Sequence, residues 1–255
     1  MFGLNEGQDN MGFVQSLLKV LSNSKLSFIP FFVILILGGF QFIFSLNLEW
    51  LVPKLGLSIH SLWGIFTNFY IHENLDHFDN NMMLLFILTL IYVFMNGYLS
   101  DIQQKNRSKY FMVSAFVCGI STNISYILIA SYFFNFQGYT YGASGLVYAV
   151  QGIAFMMALF NLIQVGKKWF AIVKIKKSNL GMPTDFNKQY ASTSAFLLLN
   201  FCVAAFFAYF ALVNPLSVVN ASENVNFFGH YIGFTIGMFS VIAYYFIKMK
   251  DFNSL

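Results

Sequence analysis

"FIPFFVILILGGFQFIFSL", residues 28–46, contains no charged side chain. A helix that crosses a bilayer needs about 20 mostly apolar residues, and this stretch supplies them. Five more stretches of the same kind follow, at roughly 80–98, 110–134, 142–164, 192–214 and 226–247. None of the six holds an Asp, Glu, Lys or Arg, and the last holds one histidine, His230. The spacing predicts an all-α, polytopic membrane protein with six transmembrane helices. Bulk composition agrees. The 255 residues are 58% hydrophobic, 20% aromatic and 9% charged, against about 25% charged in soluble domains. So few charges cannot cover a water-exposed surface.

The net charge of +4 matters less than where the cations sit. Lys19 and Lys25 precede the first span. Lys105, Arg107 and Lys109 lie between the second and third, and Lys167, Lys168, Lys174, Lys176, Lys177 and Lys188 between the fourth and fifth. Lys248 and Lys250 follow the sixth. Of the 14 cations only Lys54 falls on the other side. Cytoplasmic loops carry the Lys/Arg excess. The expectation is an integral, multi-pass protein of the cell (plasma or inner) membrane with both termini cytoplasmic, and with 47–79, 135–141 and 215–225 outside. The basic run at 165–177 reads as a topology signal and a contact for anionic lipid of the bilayer, not as a nucleic-acid site.

Three regions follow from the spans: a cytoplasmic segment at 1–27, a membrane domain at 28–248 and a cytoplasmic tail at 249–255. The N-terminal segment, with Glu6, Asp9, Lys19 and Lys25, is too polar for a signal peptide. Its "MGFVQSLLKVLSNSK" has the pattern of a short amphipathic helix at a membrane surface. Cys118 and Cys202 both fall in apolar runs, where cysteine acts as a small buried apolar residue. The outer loop "LEWLVPKLGLSIHSLWGIFTNFYIH" is apolar yet too broken by Pro53, Lys54 and Gly56 to span. It is expected to lie in the interface, anchored by Trp50 and Trp63.

With this orientation, spans two, four and six start at the outer face. Each carries its unusual polar residues in its first turns. Span two opens with His77, Asn80 and Asn81, span four with "YGASG" and Ser144, span six with "NFFGHYIG" and His230. A hydroxyl, imidazoles and an amide thus share one depth. Polar groups inside a bilayer are costly and mark function, and helix N-termini present free N–H groups that suit a developing anion. Read singly, "YGASG" is small-residue helix packing, His230 a packed histidine, and His77 with Asn81 an interfacial helix start. Their coincidence at one depth is what points to chemistry. Gly229, Gly233 and Gly237 form a G-x-x-x-G-x-x-x-G face that admits another helix closely. Gly142 and Gly145 flank Ser144. Spans four and six should then let Ser144 and His230 share a hydrogen bond, with Tyr148, four residues on, bracing the His230 ring.

"HENLDHFDNN", residues 72–81, nearly matches the helical zinc motif H-E-x-x-H, but its second histidine comes one residue late. No metal and no cofactor is expected. His77 and Asn81, four apart, share a helix face. His72, five residues before His77, is expected off that face.

These residues together resemble the rhomboid intramembrane serine proteases over roughly residues 28–250. His72, His77 and Asn81 are similar to the family's H-x-x-x-x-H-x-x-x-N, "GASGLVY" to its G-x-S-G with a tyrosine four residues after the serine, and "HYIGFTIG" to its H-x-x-G-x-x-x-G. Trp63 stands where the family has the Trp of an outer-loop Trp-Arg pair. The expected Arg is Gly64 here, so Gly64→Arg should rigidify the loop.

The resemblance implies a six-helix rhomboid-like bundle that hydrolyses peptide bonds through a Ser144–His230 dyad. It implies an oxyanion hole of His77, Asn81 and the Ser144 N–H, and a bracing role for His72. Substrates would be other single-pass or multi-pass membrane proteins, cut near the outer ends of their helices. Two other readings remain. One is an inactive rhomboid-like protein that binds membrane helices; inactive members typically lack the Ser or the His, and this chain has both. The other is a transporter using His72, His77 and His230, against which stand the absence of a repeat and of intramembrane carboxylates.

Overall fold

The computed structural model of the chain describes residues 13–135, 137–178, 184–218 and 225–252. Six of its helices are long and apolar enough to cross a membrane. The first is a 3-10 turn (Lys25–Phe28) running into α2 (Ile29–Ile43), where Pro30 sits in the first turn and forfeits no helical bond. The others are α5 (Leu75–Met95), α6 (Asp101–Phe134), α7 (Ser144–Ser178), α8 (Thr184–Val218) and α9 (Val225–Phe252). A shorter α1 (Phe13–Asn23) leads in, as the amphipathic pattern predicts, and packs on α5 and α6. Lys19 on α1 pairs with Asp101 at the start of α6, 3.0 Å apart. No strand occurs among the described residues; the family of six spans is all-α, as expected.

Three helices begin well before the apolar pattern indicates: α8 at Thr184, and α5 and α6 for reasons the caps make plain. α5 starts at Leu75 because Asn74 caps it, its Oδ1 accepting the His77 N–H at 2.8 Å. α6 starts at Asp101, after Ser100, whose N–H donates to Gln103 Oε1 at 3.1 Å. Lys105, Arg107 and Lys109 therefore lie on a helix and not in a loop. Arg107 turns inward and is buried. Its guanidinium donates to Asn96 Oδ1 at 3.1 Å, to the Tyr245 hydroxyl at 2.6 Å and to the Met157 sulfur. Every partner is neutral, so this cation works as an interior clamp across four helices. The outer loop expected at 215–225 lies largely outside the described residues, as does the turn between α7 and α8.

α7 is the central helix and contacts α5, α6, α8 and α9. Leu146, Val147, Ala149, Val150, Ile153, Ala154, Met157 and Ala158 along it are fully buried, which is what a helix apolar all round requires. Its tightest neighbour is α9. A Cβ on Gly233 would lie 2.6 Å from the Gly145 carbonyl oxygen, and one on Gly237 or Gly152 would run into the Ala149 or Phe234 carbonyl of the facing helix. The glycine face read from the sequence is thus the α7–α9 contact. Gly229 packs instead on the Tyr126 ring of α6. Cys118 is buried as expected; Cys202 is not, lying on the exposed face of α8.

The loop between α2 and α5 is folded into α3 (Leu48–Leu55), α4 (Gly64–Thr67) and a 3-10 turn (Asn68–Tyr70). Trp50 and Trp63 are both exposed, and Lys54 Nζ sits 3.7 Å above the Trp50 ring. Gly64 overturns one expectation. A Cβ there would collide with the backbone of Gly56 and Leu57. The position takes glycine because two backbone segments meet at it, so an arginine cannot brace this loop.

Candidate active site

The starts of α5, α7 and α9 meet at the end of the bundle that carries the α2–α5 loop. The chain enters α7 through Gly142, at φ +110°. That left-handed conformation suits glycine. A side chain there would also meet His77, since a Cβ would lie 3.1 Å from Cε1 of its ring. The Gly142 N–H donates to the Asn68 carbonyl at 2.9 Å, and the Ala143 N–H donates to His72 Nε2 at 3.3 Å. The intrahelical ladder opens with Val147 N–H on the Ala143 carbonyl at 3.0 Å. The Ser144 amide stands among the N–H groups that a helix start leaves without an intrahelical partner.

Ser144 and His230 line one cavity of about 30 Å³, together with Asn68, Asn123, Thr140 and Tyr141. A volume of that size holds one or two waters. His230 lies on α9 and stacks on Tyr148 of α7, ring centroids 4.1 Å apart and planes 9° apart. The two rings that the sequence places near each other are thus in direct contact. The expected Ser144–His230 hydrogen bond is absent among the described residues. The α7–α9 contact brings the two residues to one cavity without closing the bond.

His77 reaches the same turn from α5, and Asn81 lies one helical turn further along that helix. His77 is half-buried against Gly142; Asn81 is buried, and its Nδ2 donor has no partner. An unpaired buried donor is costly unless something else accepts from it. Neither residue lines the Ser144 cavity.

His72 differs from its expected place. It precedes the α5 cap and is not on the helix, so its helical offset from His77 has no meaning. The two rings lie edge to face, 5.3 Å apart. His72 is fully buried, and burial, with His77 as a smaller cause, pulls its pKa down to about 3. Glu73 beside it is exposed.

Three residues that the sequence reading passed over hold this end together. Asn68 and Asn123 pair through their amides, at 3.2 and 2.8 Å, and Asn123 also donates to the Ile65 carbonyl at 2.8 Å. Gln41 on α2 bonds the His72 backbone twice. Asn123 and Gln41 are uncharged polar groups within apolar spans, and that was the signal available.

The family model described as Rhomboid domain matches residues 59–247. The match begins inside the α2–α5 loop, so the first span lies outside it. No curated protein and no solved structure matches the chain.

Proposed function

The chain belongs to the rhomboid family, and from that footing we propose that it is an intramembrane serine endopeptidase with a Ser144–His230 dyad. The observation that carries this reading is the shared cavity: Ser144 and His230 both line it, and Tyr148 stacks on the His230 imidazole.

In this mechanism Ser144 Oγ attacks a substrate carbonyl carbon and His230 takes the hydroxyl proton. The carbonyl oxygen becomes an anion. His77, Asn81 and the Ser144 N–H would donate to it, and the partnerless Asn81 Nδ2 supports that assignment. His230 then gives its proton to the leaving amine. Water enters the cavity and hydrolyses the acyl-enzyme by the same steps in reverse order. No cofactor is required by this chemistry. Catalytic hydrogen bonds are commonly long in a free enzyme and tighten with substrate. Substrates would be membrane proteins whose helices unwind near one end, because a paired backbone cannot be attacked. We place both termini in the cytoplasm and the site near the outer face of a cell membrane.

The absent Ser144–His230 bond favours a second reading, a rhomboid-like protein that binds membrane helices without cutting them. Incubation of purified protein with a panel of membrane-protein substrates, beside Ser144→Ala, separates the two. Cleavage by the wild type alone supports the protease. Binding without cleavage supports the second reading.

A further inference from the structure

Gln41 is the one strongly polar side chain in "IPFFVILILGGFQFI" of α2, and it is buried. A polar amide in a span is costly unless both its ends are used. Here both are. Gln41 Nε2 donates to the His72 carbonyl at 2.6 Å, and the His72 N–H donates to Gln41 Oε1 at 2.8 Å. This two-bond ring holds one residue's backbone as a neighbouring strand would. His72 lies in no helix, so no regular structure would otherwise satisfy these groups.

The clamp has a consequence at the other end of His72. The ring's Nε2 accepts the Ala143 N–H at 3.3 Å, so Nε2 carries no proton and the neutral ring has its proton on Nδ1. Nδ1 is buried without a partner. No second hydrogen bond therefore orients the ring. Its place depends on the clamped backbone and on edge contacts with His77 and Phe78. Ala143 immediately precedes Ser144, and its carbonyl accepts the bond that opens α7.

We propose that Gln41 is a positioning residue for Ser144: by clamping the His72 backbone it sets the His72 ring against the Ala143 N–H and so fixes the turn that presents the nucleophile. The proposal rests on the protease reading for its kinetic consequence, but the strap itself does not. Residue 41 also lies outside the family match.

The test uses the full-length protein in detergent or bilayers. Gln41→Leu removes both bonds at similar size. Gln41→Glu keeps the acceptor and loses the donor. His72→Gln offers an amide near the Nε2 position, and His72→Ala does not. For each variant, melting temperature and the fraction folded are recorded. So are kcat and KM on a cleaved membrane substrate, and the rate at which a fluorophosphonate labels Ser144. Misplacement of a reacting group by about 1 Å can cost about 100-fold. The expectation is a fall of about 10- to 100-fold in kcat and labelling rate per folded molecule for Gln41→Leu and His72→Ala, with KM nearly unchanged. Gln41→Glu should fall less, and His72→Gln should recover part of the loss. A purely structural glutamine would lower only stability. Wild-type rates per folded molecule in Gln41→Leu, or in Gln41→Glu where Gln41→Leu does not fold, overturn the proposal. A second readout stands apart from activity. In Ser144→Ala protein with ¹⁵N-labelled histidine, Gln41→Leu or Gln41→Glu should perturb the unprotonated Nε2 signal of His72. If wild-type protein neither cleaves nor labels, the protease reading fails while this spectrum still decides the strap. An unperturbed signal overturns it.

Discussion

The rings of Tyr148 and His230 lie face to face, 4.1 Å between centroids and 9° between planes. One ring comes from the central helix and the other from α9, so the stack ties the proposed base to the helix of the proposed nucleophile. Stacked pairs are worth about 0.5–1.5 kcal/mol beyond the area they bury. Tyr148→Phe keeps the stack and should keep most of the cleavage rate. Tyr148→Ala frees the imidazole, and kcat should fall about 2- to 13-fold, as 0.5–1.5 kcal/mol converts to rate. Equal rates in the two variants would show that the stack does not orient His230.

Gly237 has its missing side chain pointed at the Ala149 carbonyl across the α7–α9 contact. Gly237→Ala must push the helices apart or bend one of them. Overpacking of this kind costs about 1–3 kcal/mol, and here it also moves His230 relative to Ser144. The thermal midpoint should drop and cleavage per folded molecule should drop with it. Gly39 on α2 is a matched control, because nothing lies within 4 Å of a Cβ built there; Gly39→Ala should leave both quantities near wild type.

Gly64→Arg should lower the melting temperature, the reverse of what the Trp-Arg resemblance suggests, because the backbone of Gly56 and Leu57 fills the space a Cβ needs. Gly64→Ala should already be destabilising, by about 1–3 kcal/mol or more. A rise in melting temperature for either variant would refute this account of the loop.

Acid should weaken the protein through His72. Its folded pKa is pulled from 6.5 to about 3 by burial, while in the unfolded chain it titrates near its ordinary value. The unfolded state then binds the extra proton first. Stability is full above pH ~6.5 and is lost as pH falls from there towards about 3, at up to about 1.4 kcal/mol per pH unit from this group. Protonation would also place an N–H on Nε2, where the Ala143 N–H now donates. Unfolding midpoints between pH ~5 and ~6.5 lie above the range of ordinary carboxylates, and the difference between wild type and His72→Gln there gives this group's share. His72→Gln should flatten the slope there. An equally steep slope in that variant would assign the acid sensitivity elsewhere.

Much of this arrangement is legible in the chain because bilayer physics is restrictive. Six uncharged stretches have few other fates, and the polar residues at their starts stand out against them. The G-x-x-x-G face also reads directly, since small residues at that spacing have one main use in a membrane. The rest was hidden for specific reasons. Arg107 looks like a loop cation because the sequence shows a charge but not the inward ring of Asn96, Tyr245 and Met157 that receives it. Gly64 looks like a lost arginine because close approach of two backbones leaves no local pattern. His72 looks helical by spacing until the Asn74 cap sets the start of α5 behind it. The Gln41 side chain is 31 residues away in sequence from the His72 backbone it bonds.

The remaining prediction separates the dyad from the anion site. Ser144 and His230 would act as one unit, so losing either should abolish the nucleophilic route. Ser144→Ala and His230→Ala should each show no detectable cleavage, and the double variant should be no worse. His77 and Asn81 would act later, on the charge that forms after attack. Loss of one donor from such a site costs about 10²–10³ in rate, roughly 3–4 kcal/mol. The Ser144 backbone N–H survives any side-chain change. His77→Ala and Asn81→Ala should therefore be slow but measurable where His230→Ala is dead. Asn81 offers a further contrast, because its buried Nδ2 has no partner in the free protein. A buried donor with nothing to bond costs stability, so Asn81→Leu should hold or raise the melting temperature while lowering the rate. If Asn81 only packs α5, the rate per folded molecule should stay near wild type. Full activity in a stable Ser144→Ala would end the protease mechanism. Full activity in both His77→Ala and Asn81→Ala would remove only the oxyanion assignment.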